Sequence, residues 1–240
     1  MWKVGPTVSC WWRRKGNKPM KLLINALTKF VCGLLAVGLL IFLPAGTLRY
    51  PCGWLFVGLL FGPMLIAGFV MLFKSPAFLA KRLDAKEKQT AQKGVLAFSG
   101  LMFIAGFVVA GLDFRFGWSQ MPPWMIITAS VLFLVAYALY AEVMRENAYL
   151  SRAVRVEEGQ AVVDTGLYGI VRHPMYAVTI LLFLMIPLML GSWYALIAFA
   201  FYPPIIVVRL LDEETLLTRE LSGYAAYKKK VKYRLVPFIW

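Results

Sequence analysis

Residues 174–208 read PMYAVTILLFLMIPLMLGSWYALIAFAFYPPIIVV, a run without one Asp, Glu, Lys or Arg. A straight helix of that length would extend roughly 52 Å at ~1.5 Å per residue. That is too long for a single crossing of a ~30 Å hydrocarbon core, even with tilt. Gly191-Ser192 stands at the midpoint, where a tight turn forms readily. The run therefore reads as two short spans, 174–190 and 193–208, closed into a hairpin.

Working outward, four further stretches carry no formal charge: 30–48, 50–73, 94–112 and 116–141. Each fits one crossing of roughly 20 apolar residues. The fold class expected is thus an all-α integral membrane protein of about six transmembrane helices. Composition agrees, because 60% of the 240 residues are hydrophobic and the mean hydropathy is +0.69, whereas soluble domains are about 45–50% apolar. Three cysteines, Cys10, Cys32 and Cys52, lie outside any CxxC spacing, so neither a disulfide framework nor a metal site is indicated.

A net charge of +14 invites a nucleic-acid reading, but the placement of the charges excludes it. Of 26 Lys and Arg residues, 24 fall before the first span, in the connection 74–93, between spans four and five, or in the tail. Only Arg49 and Arg115 lie on the other side. By the positive-inside rule both termini and the long polar connections face the cytoplasm, and the basic excess meets anionic headgroups.

This organisation divides the chain into a basic leader, 1–21, with no cleavable-signal pattern. Spans one to four follow in 22–145, with an amphipathic surface helix at 75–93 on which Phe78, Leu79 and Leu83 share one side. The last segment, 146–240, holds a polar loop, the hairpin 174–208 and a C-terminal amphipathic helix over 209–232. Val154, Val156, Val162 and Val163 around Glu157-Glu158-Gly159 suit a small extended hairpin.

The spans are nearly free of ionisable groups, which argues against a transport pathway through the midplane. Such residues collect instead where spans four, five and six reach the cytoplasmic boundary. One cluster is GLYGIVRHPMY at 166–176, with the chain's single histidine, His173, between Arg172 and Pro174. Pro174 suits the first helical turn. The free amides there, the positive helix end and Arg172 favour an anion. The second cluster is RLLDEE at 209–214, where Arg209 and Glu213 share a face. Glu214 falls in the stripe of Leu210, Leu217 and Leu221, an awkward place for a carboxylate without a partner. Taken singly, both clusters also read as helix anchors or a solvated charge run. Side by side, they would suit a zwitterionic ligand that bears a ribose.

The segment QAVVDTGLYGIVRHPMY (160–176), followed by RLLDEETLL (209–217) and a Tyr- and Lys-rich tail, resembles the isoprenylcysteine carboxyl methyltransferase family, within the wider phospholipid methyltransferase group. The resemblance covers about the last 100 residues. It implies an S-adenosylmethionine site lined by Gln160, Ala161, Val162, Val163 and Tyr168. Arg172, His173, Pro174, Met175 and Tyr176 would hold the methionine end, and Glu213 would reach the cofactor from the last helix. Arg209 would bind the carboxylate of a lipophilic acceptor, with Glu214 and Arg172 as supporting partners. Gln160 stands where some members have His, and Ala177-Val178 replaces a small residue plus Gly. Three alternatives remain open: a phospholipid N-methyltransferase, a sterol-type reductase using NADPH, and a non-enzymatic scaffold.

Overall fold

The computed structural model describes residues 18–83, 90–147, 149, 156 and 159–240. Helix α1 spans Lys18–Ala45, α2 Pro51–Lys74, α3 Pro76–Leu83, α4 Thr90–Phe116 and α5 Pro123–Glu146. A 3-10 turn at Gly166–Gly169 leads into α6, Pro174–Met189, then α7, Trp193–Phe199, α8, Tyr202–Glu220, and α9, Tyr224–Lys230. No strand occurs among the described residues. Among the described residues, five helical stretches are long and apolar enough to cross a membrane: Met20–Ala45, Pro51–Lys74, Gly94–Phe116, Pro123–Glu146 and Trp193–Glu220. The sixth apolar helix, α6, has only 16 residues. The chain is an all-α integral membrane protein.

Its first helix begins well before the charge-free stretch at residue 30. Lys29 explains this, because its Nζ donates to the Leu83 carbonyl at the end of α3. The apolar stem can lie along the helix while the ammonium reaches the boundary, so a lysine need not end a span. The outer face of α1 carries Leu35, Leu39 and Leu43 at four-residue spacing, all more than half exposed. In water such a stripe would be a liability; against lipid tails it is the expected surface.

Small residues let the helices approach closely. An ideal Cβ on Gly111 of α4 would stand 2.5 Å from the Ile41 carbonyl oxygen of α1. At Gly106 the same atom would stand 2.4 Å from the Phe199 ring of α7. On α6, Val178, Leu182, Ile186 and Met189 form the buried face. At the far end of the bundle the turn between α6 and α7 is pinned. Ser192 caps α7 by accepting from Ala195 N at 3.0 Å, and its hydroxyl donates to Asp113 Oδ2. Asp113 also accepts from Ser119 N and Ser119 Oγ, both at 2.6 Å. Tyr50 adds a bond to the Leu190 carbonyl and stacks on Phe114 with centroids 4.1 Å apart.

Two sequence expectations need correction. The helix expected over 209–232 is broken: α8 runs unbroken from Tyr202 to Glu220, and Gly223 at φ +84° turns the chain before α9. A left-handed conformation of that kind favours glycine, and Ser222-Gly223 was its signal. The surface helix expected at 75–93 is seen as Pro76–Leu83, while residues from Thr90 belong to α4; 84–89 lie outside the described residues. Most of the leader and the first part of the expected Val hairpin also lie outside them. Of that hairpin, 159–163 has no strand.

Candidate functional site

At the end of the bundle opposite Asp113, the start of α6 meets α8, α9 and the loop before the 3-10 turn. Gly166 makes that loop possible. It has φ +55°, and an ideal Cβ there would stand 3.1 Å from the Glu146 carboxyl carbon. Thr165 Oγ1 donates to Glu146 Oε2 at 2.8 Å, tying the loop to the end of α5. Asn147 Nδ2 donates to Tyr168 Oη at 3.0 Å, and Tyr227 Oη donates to the Tyr168 carbonyl at 2.7 Å. Burial pushes the phenols of Tyr168, Tyr224 and Tyr227 above their ordinary range, with the Glu214 and Glu213 charges adding to the effect at Tyr224. All three therefore stay protonated hydrogen-bond donors at neutral pH.

The elements enclose a cleft with about 830 Å³ of empty volume, its open mouth included. Gln160, Ala161, Val162, Val163 and Tyr168 form one wall, and Arg172, His173, Met175 and Tyr176 a second. Arg209 and Glu213 of α8 close a third side. Tyr176 joins the last two walls, since its hydroxyl donates to Glu213 Oε2 and accepts from Arg209 Nε at 3.1 Å. Arg209 and Glu213, four residues apart, thus share one phenol. His173 stacks on Tyr176, with ring centroids 5.8 Å apart.

Two expected residues lie off the lining, and a third lines it with its guanidinium engaged elsewhere. Pro174 and Glu214 are absent from the lining. Pro174 is buried as the first residue of α6, where its ring presets the helical φ. Glu214 lies behind the wall, 3% exposed, bonded to Arg172 Nε at 2.6 Å, Arg234 Nε at 3.0 Å and His173 Nε2 at 3.3 Å. The partner that its position in an apolar stripe demanded is therefore threefold. Arg172 touches the cleft, but its guanidinium is turned to Glu214 and to the carbonyls of Val231 and Lys232, at 2.9 and 2.8 Å. An anion seat built on that guanidinium is not what the structure shows.

The amides at the start of α6 are also largely engaged. Arg172 N and His173 N donate to the carbonyls of Tyr233 and Arg234, each at 2.9 Å, and Tyr176 N and Ala177 N donate to the His173 carbonyl. Sequence reasoning did not assign Asn147, Tyr149, Leu217, Leu221, Tyr224 or Tyr227 to the site, and they complete the lining. The repeated tyrosines of SGYAAYKKK at 222–230 were the available signal. No group of three or more His, Cys, Asp or Glu suited to a metal occurs among the described residues.

Chemically the cleft is mixed. Glu213 offers a carboxylate, Arg209 a cation, and the tyrosines offer flat apolar faces with polar tips. Comparison with curated proteins found no match. A family model does match, over residues 125–219, which contain nearly all of α5 and α8 with the loop, α6 and α7 between them. That segment, which supplies three of the cleft's walls, is similar to the isoprenylcysteine carboxyl methyltransferase (ICMT) family.

Proposed function

We propose that this protein is a membrane methyltransferase that uses S-adenosylmethionine and transfers its methyl group to a carboxylate on a lipophilic acceptor, at the cytoplasmic face of the membrane. The observation that carries the reading is the junction of Arg209, Tyr176 and Glu213 on one cleft at the membrane boundary. The cleft fits the cofactor's chemistry: Glu213 suits its cationic or hydroxyl groups, and Tyr224 and Tyr227 suit a flat base. His173, Met175 and Tyr176 would hold its amino-acid end, and Gln160 to Val163 its remaining edge.

Bound S-adenosylmethionine supplies an electrophilic methyl carried by a sulfonium. The protein's part is to align the acceptor and exclude water. Arg209 holds the acceptor's carboxylate, and that nucleophile needs no proton removed. With the cofactor held by these residues, the methyl would pass to that carboxylate oxygen and the carbon–sulfur electron pair would stay on sulfur. The orientation follows from the 24-to-2 distribution of basic residues, which places the cleft and both described chain ends inside. Glu213 also supports a second reading, an amine acceptor as in phosphatidylethanolamine, because a carboxylate on the cleft can accept the ammonium proton before attack.

Calorimetric titration of the detergent-purified protein with S-adenosylhomocysteine tests the cofactor. Micromolar binding is expected, with His173→Ala and Glu213→Ala each weakening it at least about tenfold, ~1.4 kcal/mol. No heat from the unaltered protein, with NADPH binding instead, overturns the proposal in favour of a reductase. Labelled methyl transferred to lipid extracts then separates the acceptors. An ester releases methanol in mild alkali, and an N-methyl product does not.

A further inference from the structure

Glu214 lies outside the cleft yet touches three side chains that matter to it. Its Oε1 receives Arg172 Nε at 2.6 Å and approaches His173 Nε2 at 3.3 Å. Its other oxygen, Oε2, receives Arg234 Nε at 3.0 Å. Arg172 has further fastenings in the Val231 and Lys232 carbonyls, so its place does not depend on Arg234. The imidazole has fewer, with Tyr224 Oη at 3.5 Å on the same nitrogen.

An ionised carboxylate only accepts hydrogen bonds. His173 Nε2 must therefore carry a proton to bond Oε1, and in the neutral ring Nδ1 is then the bare acceptor. This arrangement depends on the carboxylate not swinging. Arg234 supplies that restraint through Oε2, which would otherwise be a buried oxygen seeking another donor. Arg234 is itself held in place: its guanidinium lies 5.0 Å from the Trp240 ring centroid. Its segment's backbone accepts from both Arg172 N and His173 N at 2.9 Å. The same dipeptide is gripped through its amides and through Glu214, by a stretch beyond the matched residues 125–219.

We propose that Arg234 is a positioning residue that fixes Glu214 and, through it, holds His173 as the Nε2–H tautomer. The residue class it serves is an acceptor nitrogen on the ring that lines the cleft, suited to an N–H or O–H of the bound ligand. Its functional meaning rests on the methyltransferase reading above, but the tautomer does not.

His173 is the only histidine, so protein labelled with 15N-histidine and studied by NMR in detergent gives one imidazole, whose two nitrogens report the tautomer directly. The unaltered protein is expected to show Nε2–H alone. Arg234→Gln should mix the tautomers and weaken S-adenosylhomocysteine about tenfold, while Arg234→Lys, keeping the charge, should preserve both. An unchanged Nε2–H signal in Arg234→Gln, or Nδ1–H in the unaltered protein, overturns the assignment. Should the Gln variant fail to fold, Arg234→Lys carries the test, and loss of the tautomer in that folded variant overturns it. A protein that shows the expected tautomers but binds no S-adenosylhomocysteine leaves the assignment standing and removes the methyltransferase reading instead.

Discussion

Asp113 at one end of the bundle and Glu214 at the other are almost sealed from solvent, at 2% and 3% exposure, but their partners differ in kind. Asp113 is met by two serine hydroxyls and one backbone amide, all neutral and all from nearby turns. Glu214 is met by two guanidinium groups and an imidazole drawn from the start of α6 and from the tail. Neutral donors satisfy a carboxylate by hydrogen bonds alone and tie one turn to another, Ser192 standing 79 residues from Asp113. Guanidinium donors also balance its charge, because each charge would be costly to bury alone. The first arrangement is a closure; the second is a scaffold behind a cleft.

Glu214→Ala should have the largest effect on this contrast. It leaves Arg172 charged and buried without its carboxylate, and a loss of about 3–5 kcal/mol is expected, measured by denaturant unfolding in detergent together with loss of S-adenosylhomocysteine binding. A loss below 1 kcal/mol would break the contrast. Gly111→Ala, at the Asp113 end, pushes a methyl into the Ile41 carbonyl and should cost about 1–3 kcal/mol. Ligand affinity measured on the folded fraction should not change. Asp113→Asn keeps the shape but loses the charge that receives three donors, and about 1–2 kcal/mol of stability should go with it. If it weakened the ligand as Glu214→Ala does, the two ends could not be treated as separate.

The smallest effect is expected at an exposed pair near the cleft, Lys230 with Asp164 at 2.6 Å. The hydrogen bond and charge of Lys230 hold the Asp164 carboxyl below its ordinary range. Its contribution is therefore present above the usual carboxylate pKa and fades as pH falls through the lowered one. Solvent screens such pairs, so Asp164→Asn should leave the thermal midpoint at pH 7 unchanged, and the difference from Glu214→Ala becomes a measure of what burial adds.

Much of this was legible in the chain. Charge-free runs located the apolar helices because lipid tolerates few ionised groups, and Gly191-Ser192 located the hairpin because a turn was needed there. Glu214 was readable as a residue requiring a partner, since its neighbours in the stripe were leucines. The identity of those partners was not readable: Arg234 lies twenty residues further on, with a broken helix between. Arg172 looked available for a ligand because local sequence cannot show the carbonyls of Val231 and Lys232 that engage it. Tyr224 and Tyr227 were likewise missed, since a tyrosine after the last span has no periodic signal to separate a cleft wall from a membrane anchor.

The short sixth apolar helix has a consequence for how an amphiphile reaches the cleft. Sixteen residues in α6 rise roughly 24 Å, less than the ~30 Å of a typical hydrocarbon core, while the 24 residues of α5 beside it rise roughly 36 Å. No residue of α6 is exposed, so its neighbours in the bundle, and not lipid, cover its sides. The helix is shorter than α5 by roughly 12 Å, and the loop around the 3-10 turn fills that step. The cleft is therefore set into the height of the longer helices, and an amphiphile would reach His173 without being lifted clear of the bilayer.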